Sequence, residues 1–421
     1  MSNVGVLDEH PAIRYADTEP NDEVMRLASE IRRGATLQPT EPDRWLRAVL
    51  DALDVPPASQ LLVFSRTGIQ RTVTGPERPR AIYFNDTVVV GYIPGARHLE
   101  IAAHDARQGV QFYTIDQTAA VPEIVRRTTC LSCHVSSNTL EVPGMIARSM
   151  VTGEDGEVLP QLGSYKVDHR SPLSQRWGGW FVTGTYVSPA YAGVAHMGNV
   201  TTTPHPRRVG AAAATSNEVF IRWTARDPAP AGYLSADSDI AALLVFDHQM
   251  HATNLLTRLQ WEARVAQTAR GPGAEDRVDE LVAELVDYFL FVGEAAPPGE
   301  VIPREAFATA FMTRGPRDRH GRSLRELDLQ RRLLRYPCSY MIYSPAFDGL
   351  PAEVRNAVYE RLHAVLSGAV TGPSYAHLSH SDRLAIAEIL RDTKPDAEAF
   401  RCGLGRCVEI AQPGGSRGRV R

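Results

Sequence analysis

The sequence predicts an α+β protein with a mixed N-terminal half, which contains a small antiparallel sheet, and an all-helical C-terminal half. Between about residues 60 and 115, short β-branched and aromatic runs alternate with turn signals such as Asn85-Asp86, which is typical of antiparallel strands. From Asp237 onward, apolar residues recur at helical spacing instead. No apolar run reaches the roughly 18 residues of a membrane span, so no membrane-spanning segment is predicted.

These patterns divide the chain of 421 residues into four parts. We expect N-terminal helices in 1–57, a mixed α/β region in 58–235, a helical domain in 236–396 and a cysteine-containing, partly disordered tail in 397–421. Apolar residues make up 43% of the chain and charged residues 22%, as in ordinary globular proteins. The net charge of −4 provides no basic field, so nucleic acid is not an expected partner.

The individual elements follow from local spacing and turn residues. Residues 21–54 predict two helices, because Asp22 and Asp43 each precede apolar residues at helical spacing. Alternating or aromatic runs predict strands at 61–64, 81–84, 88–92, 98–101, 110–113 and 176–185. Further helices are predicted at 122–127, 239–269, 276–291, 304–312, 326–334, 351–366 and 380–391. Residues 186–235 read as mostly irregular.

The segment Cys130-Leu131-Ser132-Cys133-His134 has the CxxCH spacing that attaches haem c. Two thiols three positions apart can bond to two vinyl groups of a porphyrin, and the next residue presents an imidazole to the iron. The alternatives are a thioredoxin-like redox pair, half of a zinc site and a chance occurrence of the spacing, but no further pair of soft ligands lies nearby at zinc spacing. We therefore predict one covalent haem c, held by Cys130 and Cys133, with His134 as the proximal iron ligand.

The N-terminus conflicts with this expectation. Residues 1–20 have neither a basic segment nor an apolar stretch of a signal peptide. Covalent attachment of haem normally takes place outside the cytoplasm, so a periplasmic or otherwise extracytoplasmic location is predicted and the given start is expected to be trimmed or misassigned.

An oxidising compartment would also suit a disulfide between Cys402 and Cys407, whereas Cys338 lies in an apolar run and is expected to be a buried thiol.

Several segments together resemble a known family of bacterial proteins. They are YFND at 83–86, GVQFYTID at 109–116, CLSCH at 130–134, VPG at 142–144, DHRSP at 168–172, RWGGWFVTG at 176–184, HMGN at 196–199, GPRDRHGRSL at 315–324 and RYPCSYMIYS at 335–344. The family is that of cytochrome c domain-containing proteins, and the similarity runs from about residue 58 to 396. The resemblance implies one covalently bound haem and redox activity, without a defined substrate.

Haem c iron usually has a second axial ligand, His or Met. We rank His248 and His196 first and Met197 next. His248 and His251 lie on one stripe of the predicted long helix, whose other residues are mainly apolar, so each imidazole there needs a partner. The alternative for either is a core histidine that a neighbour hydrogen-bonds. His196 and Met197 lie among glycines in a loop-like segment that suits a ligand arm.

Other residues are weaker candidates for haem contacts. His169 follows an aspartate that could orient its ring, and Met145 lies near the motif. Arg176, Trp177 and Trp180 have N–H donors suited to haem propionates, and the alternative is a half-buried strand whose aromatic side chains only pack.

Three functions remain open from the sequence. The first is an electron-transfer cytochrome that exchanges single electrons with a redox protein partner, and we favour it. The second is a haem c oxidoreductase of peroxidase or small-molecule type, which the length of the chain favours. The third is a haem-based sensor of redox state or of a ligand.

Overall fold

The computed structural model describes residues 9–40, 43–153, 155–172, 175–188, 193–197, 200–201, 222–223, 232–268, 273–297 and 300–401. The helices are α1 Glu23–Arg32, α2 Leu46–Ala52, α3 Leu131–His134, α4 Ile240–Thr268, α5 Ala274–Phe289, α6 Glu305–Met312, α7 Pro345–Asp348, α8 Ala352–Leu366 and α9 His380–Thr393. The strands are β1 Leu61–Val63, β2 Arg80–Phe84, β3 Val88–Tyr92, β4 His98–Asp105, β5 Gly109–Asp116, β6 Ile124–Arg126, β7 Arg148–Met150, β8 Ser164–Lys166, β9 Trp180–Phe181, β10 Gly184–Ser188, β11 Gly193–Met197, β12 Val200–Thr201, β13 Arg222–Trp223 and β14 Glu300–Ile302.

The predicted α+β class is confirmed. Seven strands form one sheet in the order β6-β5-β4-β3-β2-β1-β9, and every neighbouring pair is antiparallel. The five predicted strand runs between residues 60 and 115 become β1 to β5. The longest pairing joins β4 to β5, where Ala102 lies opposite Phe112.

The two faces of this sheet are covered by different helices. Leu99 and Ile101 of β4 point to one face and pack with Val49 of α2 in an apolar cluster. The alternate residues point to the opposite face, where Ala102 and Phe112 join the larger cluster beneath α4. Strand alternation therefore assigns each β4 residue to one of two separate environments.

Helix α4 is the central element of the larger core. Every residue from Ile240 to Thr257 is buried, as the apolar residues on nearly all sides of the predicted helix indicated. The same apolar cluster contains Phe112 of the sheet and Leu285 and Val358 of the C-terminal helices. The core is therefore continuous across residue 236, the start of the predicted helical domain.

Four local predictions were wrong, one of them the strand at 176–185, since residues 176–179 form a bend and a turn before β9. Residues 122–127 were expected to be helical, but Ile124–Arg126 form strand β6 at the sheet edge, because backbone pairing with β5 outweighs the weak helical preference of so short a segment. Residues 326–334 form an irregular loop closed by a bridge between Leu327 and Leu334 instead of a helix. The C-terminal half is not purely helical, since β14 pairs with β10. No helix among the described ranges is long and apolar enough to cross a membrane.

Candidate functional site

The CxxCH segment forms one continuous helical turn. A 3₁₀ turn at Thr128–Cys130 runs directly into α3, Leu131–His134. Both thiols are free, with Cys130 half-buried and Cys133 exposed. Because residues three apart lie on the same side of a helix, the turn presents the two sulfur atoms in one direction.

His134 is held with one ring nitrogen bound to the protein. Its Nδ1 lies 2.8 Å from the carbonyl oxygen of Gly144, and its ring packs at 4.5 Å from that of Phe112. A carbonyl oxygen only accepts, so Nδ1 carries the proton and donates it. Burial lowers the pKa of His134, so the ring is neutral near pH 7 and Nε2 keeps a lone pair. Nε2 has no hydrogen-bond partner among the residues that the structure describes.

An ion pair on the sheet lies beside the motif. Arg80 Nε is 3.2 Å from Glu100 Oε2, and both side chains are largely buried. Burial and the charge of Glu100 both raise the pKa of Cys130. The same two charged residues act on His134 with opposite signs. Glu100 therefore lies close to both the first cysteine and the histidine of the motif.

The segment behind His134 is fixed by an asparagine of α4. Asn254 accepts a hydrogen bond from the Met145 N–H at 3.0 Å and donates one to the Met145 carbonyl at 2.8 Å. A Cβ atom on Gly144 would stand 2.8 Å from Cγ of Asn254, so this close approach requires glycine. Sequence reasoning missed both Gly144 and Asn254, and the only signal was the Pro143-Gly144 turn. Met145 itself is half-buried and packs against the core.

Helix α4 approaches the motif from the Nδ1 side of His134, since Asn254 contacts the segment that accepts the Nδ1 proton. His248, six residues earlier on α4, has both ring nitrogens bound: Nδ1 to His169 Nδ1 at 2.8 Å and Nε2 to Ser339 Oγ at 2.7 Å. His248 therefore has the partners that a buried imidazole needs, and both of them, a serine and a histidine, come from other segments. This arrangement fits the alternative of a hydrogen-bonded core histidine.

His248 belongs to a buried polar cluster that also includes His169, His251 and Asp168, and the partly exposed Arg170 borders it. Arg170 binds Asp168 at 2.6 Å and donates to His251 Nε2 at 3.1 Å, so the aspartate does not orient His169. Burial lowers the pKa of His248 and of His251 to about 3, and that of His169 well below its usual value. All three rings are therefore neutral at physiological pH.

The predicted propionate donors have protein acceptors. Arg176 Nη1 lies 3.3 Å from the Asp247 carboxylate, and Trp177 Nε1 donates to the same oxygen at 3.1 Å. Trp180 Nε1 donates to the carbonyl oxygen of Arg148 at 2.8 Å. Burial raises the pKa of Asp247 to about 7, while Arg176 and Trp177 act in the opposite direction. Only Trp180 lies on a strand, β9, because residues 176–179 form a bend and a turn. The protein acceptors agree with the alternative that these side chains pack in the core, although not as part of one strand.

Four other predicted residues fall outside the described side chains or the described ranges. His196 and Met197 lie on β11, which pairs with β10, and their side chains are not described. Cys402 and Cys407 lie outside the described residues. Cys338 is fully buried and free, as predicted.

A cleft of about 1060 Å³ opens in the C-terminal half. Its lining includes four arginines, Arg322, Arg331, Arg332 and Arg335, together with Glu294 and Asp382. Each of the arginines forms an ion pair with an aspartate or glutamate. No residue of the CxxCH segment lines this cleft.

Comparisons with models of protein families, with curated proteins and with solved structures found no match to this chain. Among the described residues, no group of three or more His, Cys, Asp or Glu side chains is arranged to hold a metal ion.

Proposed function

We propose that the protein is a c-type cytochrome with one haem attached through Cys130 and Cys133, and with His134 as the proximal iron ligand. One observation carries the proposal: His134 donates its Nδ1 proton to the Gly144 carbonyl at 2.8 Å. Histidines that bind a metal typically donate their other ring N–H to a carbonyl or carboxylate, which fixes the tautomer and the ring orientation.

The two thiols meet the other requirement of haem attachment. They lie on one helical turn immediately before His134, and neither is in a disulfide. The half-buried Cys130 would anchor the inner part of the macrocycle edge, and the exposed Cys133 the outer part. The residues present therefore suit haem c.

The function that we favour is single-electron transfer to or from a redox protein. Bound haem would supply an iron that cycles between two oxidation states. Exposure of Cys133 would leave the thioether edge of the haem near the surface, where a partner can approach it. This function and the resemblance to cytochrome c domain-containing proteins agree with an extracytoplasmic, periplasmic location, where haem is attached and such partners exchange electrons.

The alternative is a haem c oxidoreductase, and the cleft of about 1060 Å³ is the observation that favours it. Because that cleft contains no residue of the haem motif, it does not place a substrate beside the iron. We therefore retain the electron carrier as the proposal.

The test is production of the chain behind an export leader, together with a c-type maturation system. Haem should stay with the protein through extraction by acid acetone, and its pyridine haemochrome spectrum should be that of haem c. Cys130→Ser combined with Cys133→Ser should lose the haem.

Ser132→Ala provides the matched control, because Ser132 lies between the two cysteines and is exposed. This variant should keep the covalent haem. Complete extraction of haem from the unmodified protein would refute the proposed function.

A further inference from the structure

His98 lies on the same sheet face as the haem motif. Along β4, Leu99 and Ile101 point into the cluster below the sheet, whereas Ala102 points to the opposite face. His98 therefore shares the face of Ala102 by strand alternation. Ala102 lies opposite Phe112, whose ring contacts that of His134.

The part of this sheet face between His98 and Ala102, called the strip below, lies next to the motif. His98 lies four residues from Ala102, about 13 Å along the strand at roughly 3.3 Å per residue. Glu100 stands midway, and its charge acts on both Cys130 and His134. His98 therefore does not contact His134, as is expected of two axial ligands, which approach a haem iron from opposite faces.

The strip is also incompletely covered. Glu100 retains 23% side-chain exposure. Ile82 of β2 is only partly buried. These residues differ from Ala102 and Phe112, which α4 buries.

The backbone of His98 is fixed, while its ring is free. Gln70 accepts from the His98 N–H at 3.0 Å and donates to the His98 carbonyl at 3.0 Å. The Gln70 side chain also donates to Glu100 at 3.0 Å. Neither ring nitrogen of His98 has a hydrogen-bond partner within the described part of the chain, and Nδ1 is buried. An imidazole held in this way has an unmet need for a partner.

We propose that His98 is the sixth ligand of the haem iron. The inference rests on the proposed function, since it requires haem attached at Cys130 and Cys133. It also explains why β4 places an unpaired imidazole on this face. His248 is a weaker candidate because both of its ring nitrogens are already bound.

The test compares optical and electron paramagnetic resonance spectra of the haem-loaded protein. The unmodified protein should be low-spin with the signature of two axial histidines. His98→Ala should be high-spin, and added imidazole should restore the low-spin spectrum, because it fills the vacated position. The control His380→Ala removes an exposed histidine of α9 and should leave the spectrum unchanged.

His98→Met addresses the case in which the alanine variant does not fold. It should remain low-spin, gain the near-infrared band of methionine-ligated ferric haem c and have a higher reduction potential. That band in the unmodified protein, a high-spin unmodified protein, or an unchanged low-spin spectrum in either His98 variant would overturn the inference. Covalent haem in those cases leaves the proposed function standing, whereas its absence from the unmodified protein refutes the proposed function itself.

Discussion

The contact between Gly144 and Asn254 gives a quantitative prediction for Gly144→Ala. The new methyl group would stand 2.8 Å from Cγ of Asn254 and 3.1 Å from Cβ of Thr139. Overpacking of this kind costs about 1–3 kcal/mol. Displacing the Asn254 amide also weakens its two hydrogen bonds to Met145, each of which contributes about 1 kcal/mol. We expect a loss of about 2–4 kcal/mol in the free energy of unfolding.

A double-mutant cycle tests this mechanism by urea unfolding, followed by far-ultraviolet circular dichroism. Asn254→Ala alone should cost about 2 kcal/mol, through the loss of the same two hydrogen bonds. Together the two substitutions should cost at least about 1 kcal/mol less than their sum, because the methyl group then has no amide to displace.

Gly372→Ala is the matched control, since Gly372 is extended and no atom lies within 4 Å of its added Cβ. It should change stability by no more than about 0.5 kcal/mol. If Gly144→Ala matches this control, or if the two losses in the cycle add fully, the contact does not have the role that we assign to it.

Three further predictions concern a buried histidine, a buried ion pair and the cysteines of the C-terminal tail. Burial lowers the pKa of His104 to about 4 from an unfolded value near 6.5, so the unfolded state takes up the proton first. The free energy of unfolding should therefore fall by up to about 3 kcal/mol as the pH decreases from about 6.5 to about 4. In urea unfolding measured against pH, His104→Gln should show a shallower fall. Arg176→Met leaves Asp247 buried without its cation and should lower the free energy of unfolding by about 3–5 kcal/mol at about pH 8. The loss should be smaller at about pH 6, where the Asp247 carboxyl group is protonated. Equal losses at both pH values would contradict this reasoning. Thiol labelling of denatured, exported, haem-loaded protein should find one free thiol, Cys338, because Cys402 and Cys407 are predicted to form a disulfide; three labelled thiols would refute that disulfide.

Local patterns in the sequence predicted strands β1 to β5, most of the longer helices and the CxxCH spacing. The strand runs between residues 60 and 115 and the buried helix α4 could be recognised because alternation and helical spacing are properties of neighbouring residues. The CxxCH spacing is likewise local. By contrast, β6 depends on an edge of the sheet that only exists once β5 is in place, and the segment alone resembled a helix.

The surroundings of the motif were decided by tertiary structure. Nothing near His134 in the sequence indicates that Gly144 accepts its proton, or that Asn254 of a helix more than a hundred residues later fixes that carbonyl. His248 looked unpaired because its partners, His169 and Ser339, come from distant segments.

His98 is a residue whose surroundings the sequence does not indicate. In the sequence it is one residue of a predicted strand, without a signal that sets it apart. Only the sheet register places it on the face that carries His134, because strand alternation fixes a face and pairing fixes the neighbours. The sequence by itself therefore determined the CxxCH spacing, whereas the tertiary structure decided that the ring of His248 is hydrogen-bonded and that the ring of His98 has no partner among the described residues, since hydrogen bonds between distant segments form only when the chain has folded.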